Sequence, residues 1–187
     1  MKLKLLVVAL AIVGYTSTSQ AQVDVTVNPI GLLFGDLSVG ADFVLSDNFS
    51  VEGAVGIGTG TLGDFKWFNI PVTASGKYYF NPDDGADGFY ANVFAKFIRR
   101  GNTWDGDVDL TYDGDYNQTR LGLGIGAGFK VVSNGGIVFD IGLGFGRALV
   151  SNISFNDESI DEELRNLPDW TRLMITGKLG LGYRFGG

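Results

Sequence analysis

The last third of the chain alternates bulky apolar residues with glycine or charge at a period of two residues. Apolar residues occupy every second position from Leu121 to Phe129, and again from Ile137 to Phe145. Because successive side chains of a β-strand point to opposite faces of the sheet, each segment predicts a strand with one apolar face and one small, polar face. Strands of this kind can close into a barrel with hydrocarbon outside and small, polar groups inside.

Eight such segments occur along the chain, each with at least about the 9 to 11 residues that a tilted membrane strand needs. The predicted fold class is therefore all-β, an eight-stranded antiparallel up-and-down transmembrane β-barrel. Short connections made of turn residues alternate with longer ones along the chain. The short connections are 46–48, 81–88 and 133–136, and the longer ones are 59–67, 99–118 and 151–171. The first connection, Gly35-Asp36, is the exception, because it is short where a long one is expected. The predicted strands are Val25–Phe34, Leu37–Leu45, Phe49–Gly58, Phe68–Phe80, Phe89–Ile98, Thr119–Val131, Ile137–Val150 and Arg172–Phe185.

A soluble barrel of the lipocalin kind is the main structural alternative, because alternation alone does not say which face points inward. The interior of an eight-stranded barrel is only just wide enough to be filled by side chains. It is too small for Phe43, Phe97, Phe129, Phe139 and Phe145 together with the leucines and isoleucines of the same face. Side-chain volume thus favours an apolar face directed toward lipid. Aromatic residues near the strand ends predict interfacial girdles, at Trp67-Phe68, Tyr78–Phe80, Phe89-Tyr90, Tyr183 and Phe185.

The first 21 residues have the pattern of a secretory signal peptide. Lys2 and Lys4 precede an apolar run from Leu5 to Val13, and small residues lie around Ala21. The apolar run is shorter than the roughly 20 residues that a membrane-spanning helix needs. We predict a signal peptide at 1–21 and one barrel domain at 22–187.

Composition excludes several classes of function. The chain has no histidine and no cysteine, so it lacks the commonest general base and metal ligand and any thiol chemistry. Its formal net charge of −7 argues against nucleic acid as a partner. We predict a non-enzymatic protein without a cofactor. A carboxylate pair such as Asp107 with Asp113 is the remaining catalytic alternative.

The final strand, Leu179-Gly180-Leu181-Gly182-Tyr183-Arg184-Phe185, ends in an aromatic residue. With the arrangement of the predicted strands, it resembles the small eight-stranded outer-membrane barrels of the OmpA and OmpX type. The resemblance implies a multi-pass protein of the bacterial outer membrane, in contact with lipid and lipopolysaccharide and recognised by the barrel assembly machinery. This chain departs from that pattern by adding Gly186 and Gly187, and no peptidoglycan-binding domain follows the barrel.

The polar face of the predicted strands carries charges of both signs. Because an unpaired charge is costly in a confined space of low dielectric, these groups should pair across the lumen. The predicted ion-pair network comprises Asp42, Glu52, Lys77, Lys96, Lys130, Asp140, Lys178 and Arg184. Tyr79, Tyr90 and Asn92 share this face. Strand direction places most of the charges in the periplasmic half of the barrel.

Glycines on the same face fall toward the outer half, at Gly56, Gly58, Gly122, Gly124, Gly144 and Gly146. They suggest a lumen shaped like a cup, closed by ion pairs at the periplasmic end and roomier outside. The alternative is that glycine only relieves crowding and permits strong coiling of the strands.

Two long connections are acidic. In the first, Asp105, Asp107 and Asp109 alternate as the carboxylate ligands of a calcium loop do, although Leu110 stands where such a loop needs glycine. A solvated acidic loop is the alternative to this metal site. The second connection carries five acidic residues between Asp157 and Glu163, and Ile160, Leu164 and Leu167 are spaced for one helical face.

Two functional hypotheses follow. The first is a structural or surface-interaction barrel that presents its acidic extracellular loops to a partner that the sequence does not name. The second is a narrow pore or small-ligand carrier that uses the glycine-lined outer lumen. A surface role predicts sensitivity to trimming of Gly101 to Gln118, whereas transport predicts sensitivity to Gly124→Phe or Asp140→Ala.

Overall fold

The structure is a computed structural model that describes residues 22–29, 35–83, 85–104, 116–155 and 172–186. The predicted signal peptide and the aspartates at 105, 107 and 109 lie outside these residues, as do 157–167 of the second acidic connection. Among the described residues, no helix is both long and apolar enough to span a membrane.

Eight antiparallel strands follow one another around a closed ring, and β8 pairs with β1 to complete it. Each strand pairs with the next along the chain, as the prediction of an up-and-down barrel requires. The fold class predicted from the sequence is therefore confirmed. The strands are β1 (Val23–Val27), β2 (Asp36–Ser46), β3 (Phe49–Leu62), β4 (Phe65–Tyr79), β5 (Gly88–Trp104), β6 (Tyr116–Val132), β7 (Ile137–Phe155) and β8 (Leu173–Phe185).

Several predicted boundaries are wrong; β5, for example, continues to Trp104 and not to Ile98, and β7 continues to Phe155 and not to Val150. The first strand ends at Val27 and not at Phe34, because Pro29 follows and has no N–H to donate to a sheet. The first connection thus spans 28–35 and is longer than predicted. The connection between β3 and β4 is shorter than predicted, since both strands continue to a two-residue turn at Gly63-Asp64. Gly63 adopts a φ of +61°, which glycine tolerates without strain.

The two ends of the barrel differ in their connections. One end, here called the turn end, carries the connections 47–48, 80–87 and 133–136, none of which is longer than eight residues. The other, the loop end, carries 28–35, 63–64, 105–115 and 156–172, of which the last two are the longest in the chain and 63–64 is as short as 47–48. The three strands that adjoin the long connection 105–115 or lead into 156–172, namely β5, β6 and β7, are the longest, with 17, 17 and 19 residues.

The outer face of the barrel is apolar around its whole circumference. Ile125, Leu143 and Phe145 are 70%, 64% and 59% exposed, and similar residues are exposed on every strand from β1 to β8. A soluble monomer rarely exposes a contiguous apolar patch larger than a few hundred Å². The soluble-barrel alternative is therefore excluded, and the apolar face is the lipid-facing one.

Aromatic residues cluster on the outer face at the turn end. The rings of Tyr78 and Phe80 lie 5.5 Å apart, and Phe80 stacks on Phe89 at 5.6 Å. Tyr183 and Phe185 form another pair at 5.0 Å. All five side chains are about half exposed, as expected of an interfacial girdle.

Candidate functional site in the barrel lumen

The turn-end half of the lumen is filled by charged side chains centred on Lys77. The Lys77 ammonium lies 2.8 Å from Asp42, 2.5 Å from Glu52 and 3.0 Å from Asp140. These residues come from β2, β3, β4 and β7, so one ammonium group joins four strands across the interior. All four side chains are buried.

Further cations extend this centre. Lys130 donates to Asp24 at 2.8 Å and to Asp42 at 2.7 Å. Arg184 on β8 donates to both oxygens of Asp24, at 2.7 and 3.0 Å. Its Nη1 also donates to the carbonyl oxygen of Gly85 at 2.6 Å, which attaches the 80–87 connection to the lumen.

On the side facing the loop end, Lys178 completes the network. Its ammonium lies 2.6 Å from Glu52 and 2.6 Å from Asp140, the two carboxylates that it shares with Lys77. The Lys178 side chain is 24% exposed, whereas that of Lys77 is 1% exposed. We call the eight charged residues the charge plug: Asp24, Asp42, Glu52, Lys77, Lys130, Asp140, Lys178 and Arg184.

The charge plug contains four carboxylates and four cations, so its formal charges balance. Taking each ion out of water costs several kcal/mol, and only close pairing with good hydrogen bonds offsets that cost. Tyr90 adds a hydrogen bond from its hydroxyl to Asp140 at 2.7 Å. The Lys77 and Lys130 ammonium groups lie 5.0 and 5.1 Å from the ring centroids of Tyr90 and Tyr79, within the range of cation–π attraction. The two rings fill the space beside the ions and are buried.

Seven of the eight residues proposed from the sequence for an ion-pair network lie in the charge plug. Lys96 does not, because it lies four residues beyond Asn92, the cross-strand partner of Lys77, and about 13 Å further along β5. Its ammonium instead donates to Thr176 Oγ1 at 3.2 Å. Sequence reasoning missed Asp24, because the first strand was predicted to begin one residue after it. The alternation of Asp24 with Val23 and Val25 is the signal that would have found it.

Three of the buried carboxylates, Asp42, Glu52 and Asp140, converge closely enough to hold a metal ion, with ligand oxygens within 4.8 Å of one another. The Lys77 ammonium contacts all three and occupies the place of such a cation. The arrangement is accordingly an internal ion pair.

The loop-end half of the lumen contains a cavity of about 320 Å³. Its floor is formed by Glu52, Lys77 and Lys178 of the charge plug. The cavity extends along β5 past Asn92 and Lys96 to Arg100, and it reaches Asn28 and Asp36, where β1 ends and β2 begins. Thr73 and Thr176 line its walls.

The six glycines of the predicted glycine-lined lumen lie on the inner face, but only Gly56 and Gly144 border this cavity. A Cβ atom at Gly124 would lie 2.3 Å from the Phe94 ring, and one at Gly122 would lie 2.3 Å from Met174 Sδ. The buried side chains of Phe94 and Met174 therefore fill the space beside these glycines, and the prediction of open space there is wrong.

The other two glycines also lie in close contacts. At Gly58, a Cβ atom would collide with the Asp36 carboxylate. At Gly146, the nearest atom would be the Leu123 carbonyl oxygen, at 2.6 Å. Glycine on this face serves close packing, which was the stated alternative, while the open space lies mainly beside β1 to β5 and β8.

Four charged residues of the described strands face the lumen beyond the charge plug: Asp36, Lys96, Arg100 and Arg120. Asp36 accepts a hydrogen bond from Asn69 Nδ2 at 3.3 Å. With the Gln118 amide turned so that its oxygen faces the guanidinium, Arg120 donates to it at 2.8 and 3.1 Å. Counted over the described strands alone, three cations and one carboxylate face this half of the lumen, a formal charge of +2, in contrast to the neutral plug.

Comparison with known proteins bears on the fold. No protein-family model matches the sequence, and no curated protein matches it. The chain is similar in structure to Ail, the attachment invasion locus protein of Yersinia pestis, with a TM-score of 0.50 and 12% identity over 89% of this chain and 99% of Ail. It is also similar to Neisserial surface protein A, with a TM-score of 0.46 and 13% identity over 89% of this chain and 96% of that one.

The likeness to Ail is one of fold. It agrees with the closed ring of eight antiparallel strands. The closed ring and this likeness establish the fold of the chain, an eight-stranded antiparallel up-and-down β-barrel with an apolar outer face.

Proposed function

We propose that this protein is a non-enzymatic, multi-pass barrel of the bacterial outer membrane whose lumen is closed and whose loop end interacts with partners at the cell surface. The observation that carries the proposal is the charge plug. Its central side chains, Asp42, Lys77, Lys130 and Asp140, are each no more than 2% exposed, and Tyr79 and Tyr90 fill the space beside them. Ions crossing the barrel would have to displace this balanced network.

The strand lengths support a surface role. Outer-membrane barrels place short turns in the periplasm and longer loops outside, which assigns the turn end to the periplasm. A strand of about 9 to 11 residues spans the membrane, whereas β5, β6 and β7 have 17 to 19 residues. We infer that these strands project beyond the lipid as a rigid support for the acidic connections 105–115 and 156–172.

The partners follow from this placement. The apolar belt contacts outer-membrane lipid, and the acidic connections share divalent cations with lipopolysaccharide. The terminal strand, with Tyr183 and Phe185 exposed on its outer face, is the segment that the barrel assembly machinery recognises. Ail is named an attachment invasion locus protein, and attachment is the kind of surface interaction that we propose to test for this chain.

Planar-bilayer conductance tests the closed lumen. We expect the refolded wild-type protein to produce no steady channels, with folding confirmed by the heat-dependent mobility shift typical of barrels in gel electrophoresis. Steady wild-type channels would contradict the proposal. Such channels would instead favour the narrow pore.

A loop replacement tests the surface role. The trimming of Gly101 to Gln118 suggested by the sequence would cut into β5 and β6, which extend to Trp104 and begin at Tyr116. Residues 105–115 are replaced by a short glycine-serine linker, and adhesion of cells producing this variant is compared with that of wild-type cells at equal surface levels. We expect adhesion to fall while the barrel remains folded. Unchanged adhesion with this replacement and with an equivalent replacement of 156–171 would contradict the proposal.

A further inference from the structure

We propose that the loop-end cavity is a binding site for a small phosphate-bearing solute. The cavity of about 320 Å³ falls within the range of about 300 to 1,000 Å³ typical of small-molecule sites. It is bounded on one side by the charge plug and extends to the loop end. A solute entering from the loop end would meet a closed floor, as in a binding site.

The charge of the cavity selects an anion. The plug beneath it is internally balanced, so Glu52 on the floor is already bound by Lys77 and Lys178. Beyond the plug, Lys96 and Arg100 line the cavity with one carboxylate, Asp36, and Arg120 faces the lumen from β6 outside the cavity lining. Arg100 repels both Lys96 and Arg120, and Asp36 partly offsets this repulsion for Lys96. An anion between these cations would relieve the repulsion.

Two charged donors beyond the plug, Lys96 and Arg100, line the cavity. Lys96 contacts a neutral hydroxyl, Thr176 Oγ1, so its remaining protons are available to a ligand.

Lys96 and Arg100 lie on one face of the same strand, about 13 Å apart at their Cα atoms. Both line the cavity, with Asn92 and Thr73 at its walls. A guanidinium group binds a phosphate through two parallel hydrogen bonds, and an ammonium group acts as a compact point charge. Arg100 near the entrance and Lys96 deeper inside therefore suit a phosphate group on a solute that fills the length of the cavity.

The test uses the refolded full-length barrel in a neutral, phosphate-free detergent, titrated calorimetrically with inorganic phosphate and separately with glycerol 3-phosphate. Glycerol at the same concentration is the ligand control. We expect saturable binding of at least one phosphate compound and none of glycerol. Binding of both identifies free phosphate as a sufficient ligand, and binding of glycerol 3-phosphate alone identifies an organic phosphate. Absence of binding by both compounds would overturn the proposal.

Two variants and a matched control locate the site. Lys96→Gln and Arg100→Gln are each expected to weaken binding at least about tenfold, the effect of losing a hydrogen bond to a charged group. Arg99→Gln changes the neighbouring residue, which is exposed on the opposite face of β5, and should alter the affinity less than twofold. Wild-type affinity in both Lys96→Gln and Arg100→Gln would overturn the proposal. Loss of binding in Arg99→Gln alone would also overturn it, because that result would place the anion on the outer surface. Retention of the heat-dependent mobility shift verifies the fold of each variant.

Discussion

The two halves of the lumen are built from the same eight strands but are filled in opposite ways. At the turn end, four carboxylates and four cations form a balanced and almost fully buried network around Lys77. At the loop end, a cavity of about 320 Å³ is lined beyond the plug by two cations, Lys96 and Arg100, and one carboxylate, Asp36. The contrast teaches that one strand pattern can support two environments: one fixes the barrel and excludes ions, and the other leaves room for a ligand.

The largest expected effect comes from removing the central cation of the plug. Lys77→Met leaves Asp42, Glu52 and Asp140 with one fewer partner in a region that water does not reach. Breaking a buried ion pair by removing one partner typically costs about 3–5 kcal/mol, and we expect a loss of this size in the free energy of unfolding. The measurement is urea unfolding of the refolded protein in lipid vesicles.

The matched control for this variant is Lys96→Met, which removes a lysine from the loop-end half. Its ammonium donates to Thr176 and to no carboxylate among the described residues, so the stability should change by about 1 kcal/mol or less. Equal losses in the two variants would contradict the distinction between a balanced plug and a loop-end half with surplus cations.

A smaller effect is expected from adding one carbon to the packed part of the loop-end half. A Cβ atom at Gly124 would lie 2.3 Å from the Phe94 ring and 2.5 Å from the Phe145 carbonyl oxygen. Because the backbone oxygen has little freedom to move, Gly124→Ala should destabilise the barrel by about 1–3 kcal/mol, as overpacking does. Thermal or urea unfolding measures the change.

Gly53 provides the control for that substitution, since a Cβ atom there would meet nothing within 4 Å. Gly53→Ala should be neutral, or stabilising by about 0.4–1 kcal/mol through the reduced entropy of the unfolded chain. If Gly124→Ala were equally harmless, the strands beside Phe94 would be less tightly packed than the structure indicates.

The smallest effect is expected at the boundary between the two halves. Lys178→Met also leaves the plug with one surplus negative charge, but Glu52 and Asp140 keep their contacts with Lys77. The Lys178 side chain is 24% exposed toward the cavity, where water can solvate the carboxylates. We expect a loss of about 1 kcal/mol. A loss as large as that of Lys77→Met in the same urea series would show that the plug extends further toward the loop end.

Much of the charge plug could be anticipated because strand alternation is a local property. Once Asp42, Glu52, Lys77, Lys130 and Asp140 are placed on the polar face of their strands, closure of the ring directs them all inward. Which cation meets which carboxylate depends on the register between strands, to which each strand's own sequence contributes little. That is why Lys96 was grouped with residues that lie about 13 Å along the strand from it.

Strand boundaries were less predictable from the sequence. Wrong boundaries account for the missed residue Asp24 and for the wrong length of the β3–β4 connection. Asp24 was missed because β1 begins two residues earlier than predicted, at Val23. The β3–β4 connection was predicted as a loop because of its glycines and threonines, yet both strands continue to a two-residue turn. The backbone N–H and C=O groups of these segments form hydrogen bonds with a neighbouring strand, and this stabilises them as strand. Local amino-acid composition does not predict such pairing.

The sequence by itself determined the fold class, the number of strands, the lipid-facing surface and the signs of the charges inside, because a period of two residues and side-chain volume settle each of these locally. Only the tertiary structure decided that Phe94 and Met174 fill the space beside the glycines of β6, and that the cavity lies toward β1 to β5 and β8. The reason is geometric: strands distant in the sequence become neighbours across the lumen only when the ring closes with a particular stagger.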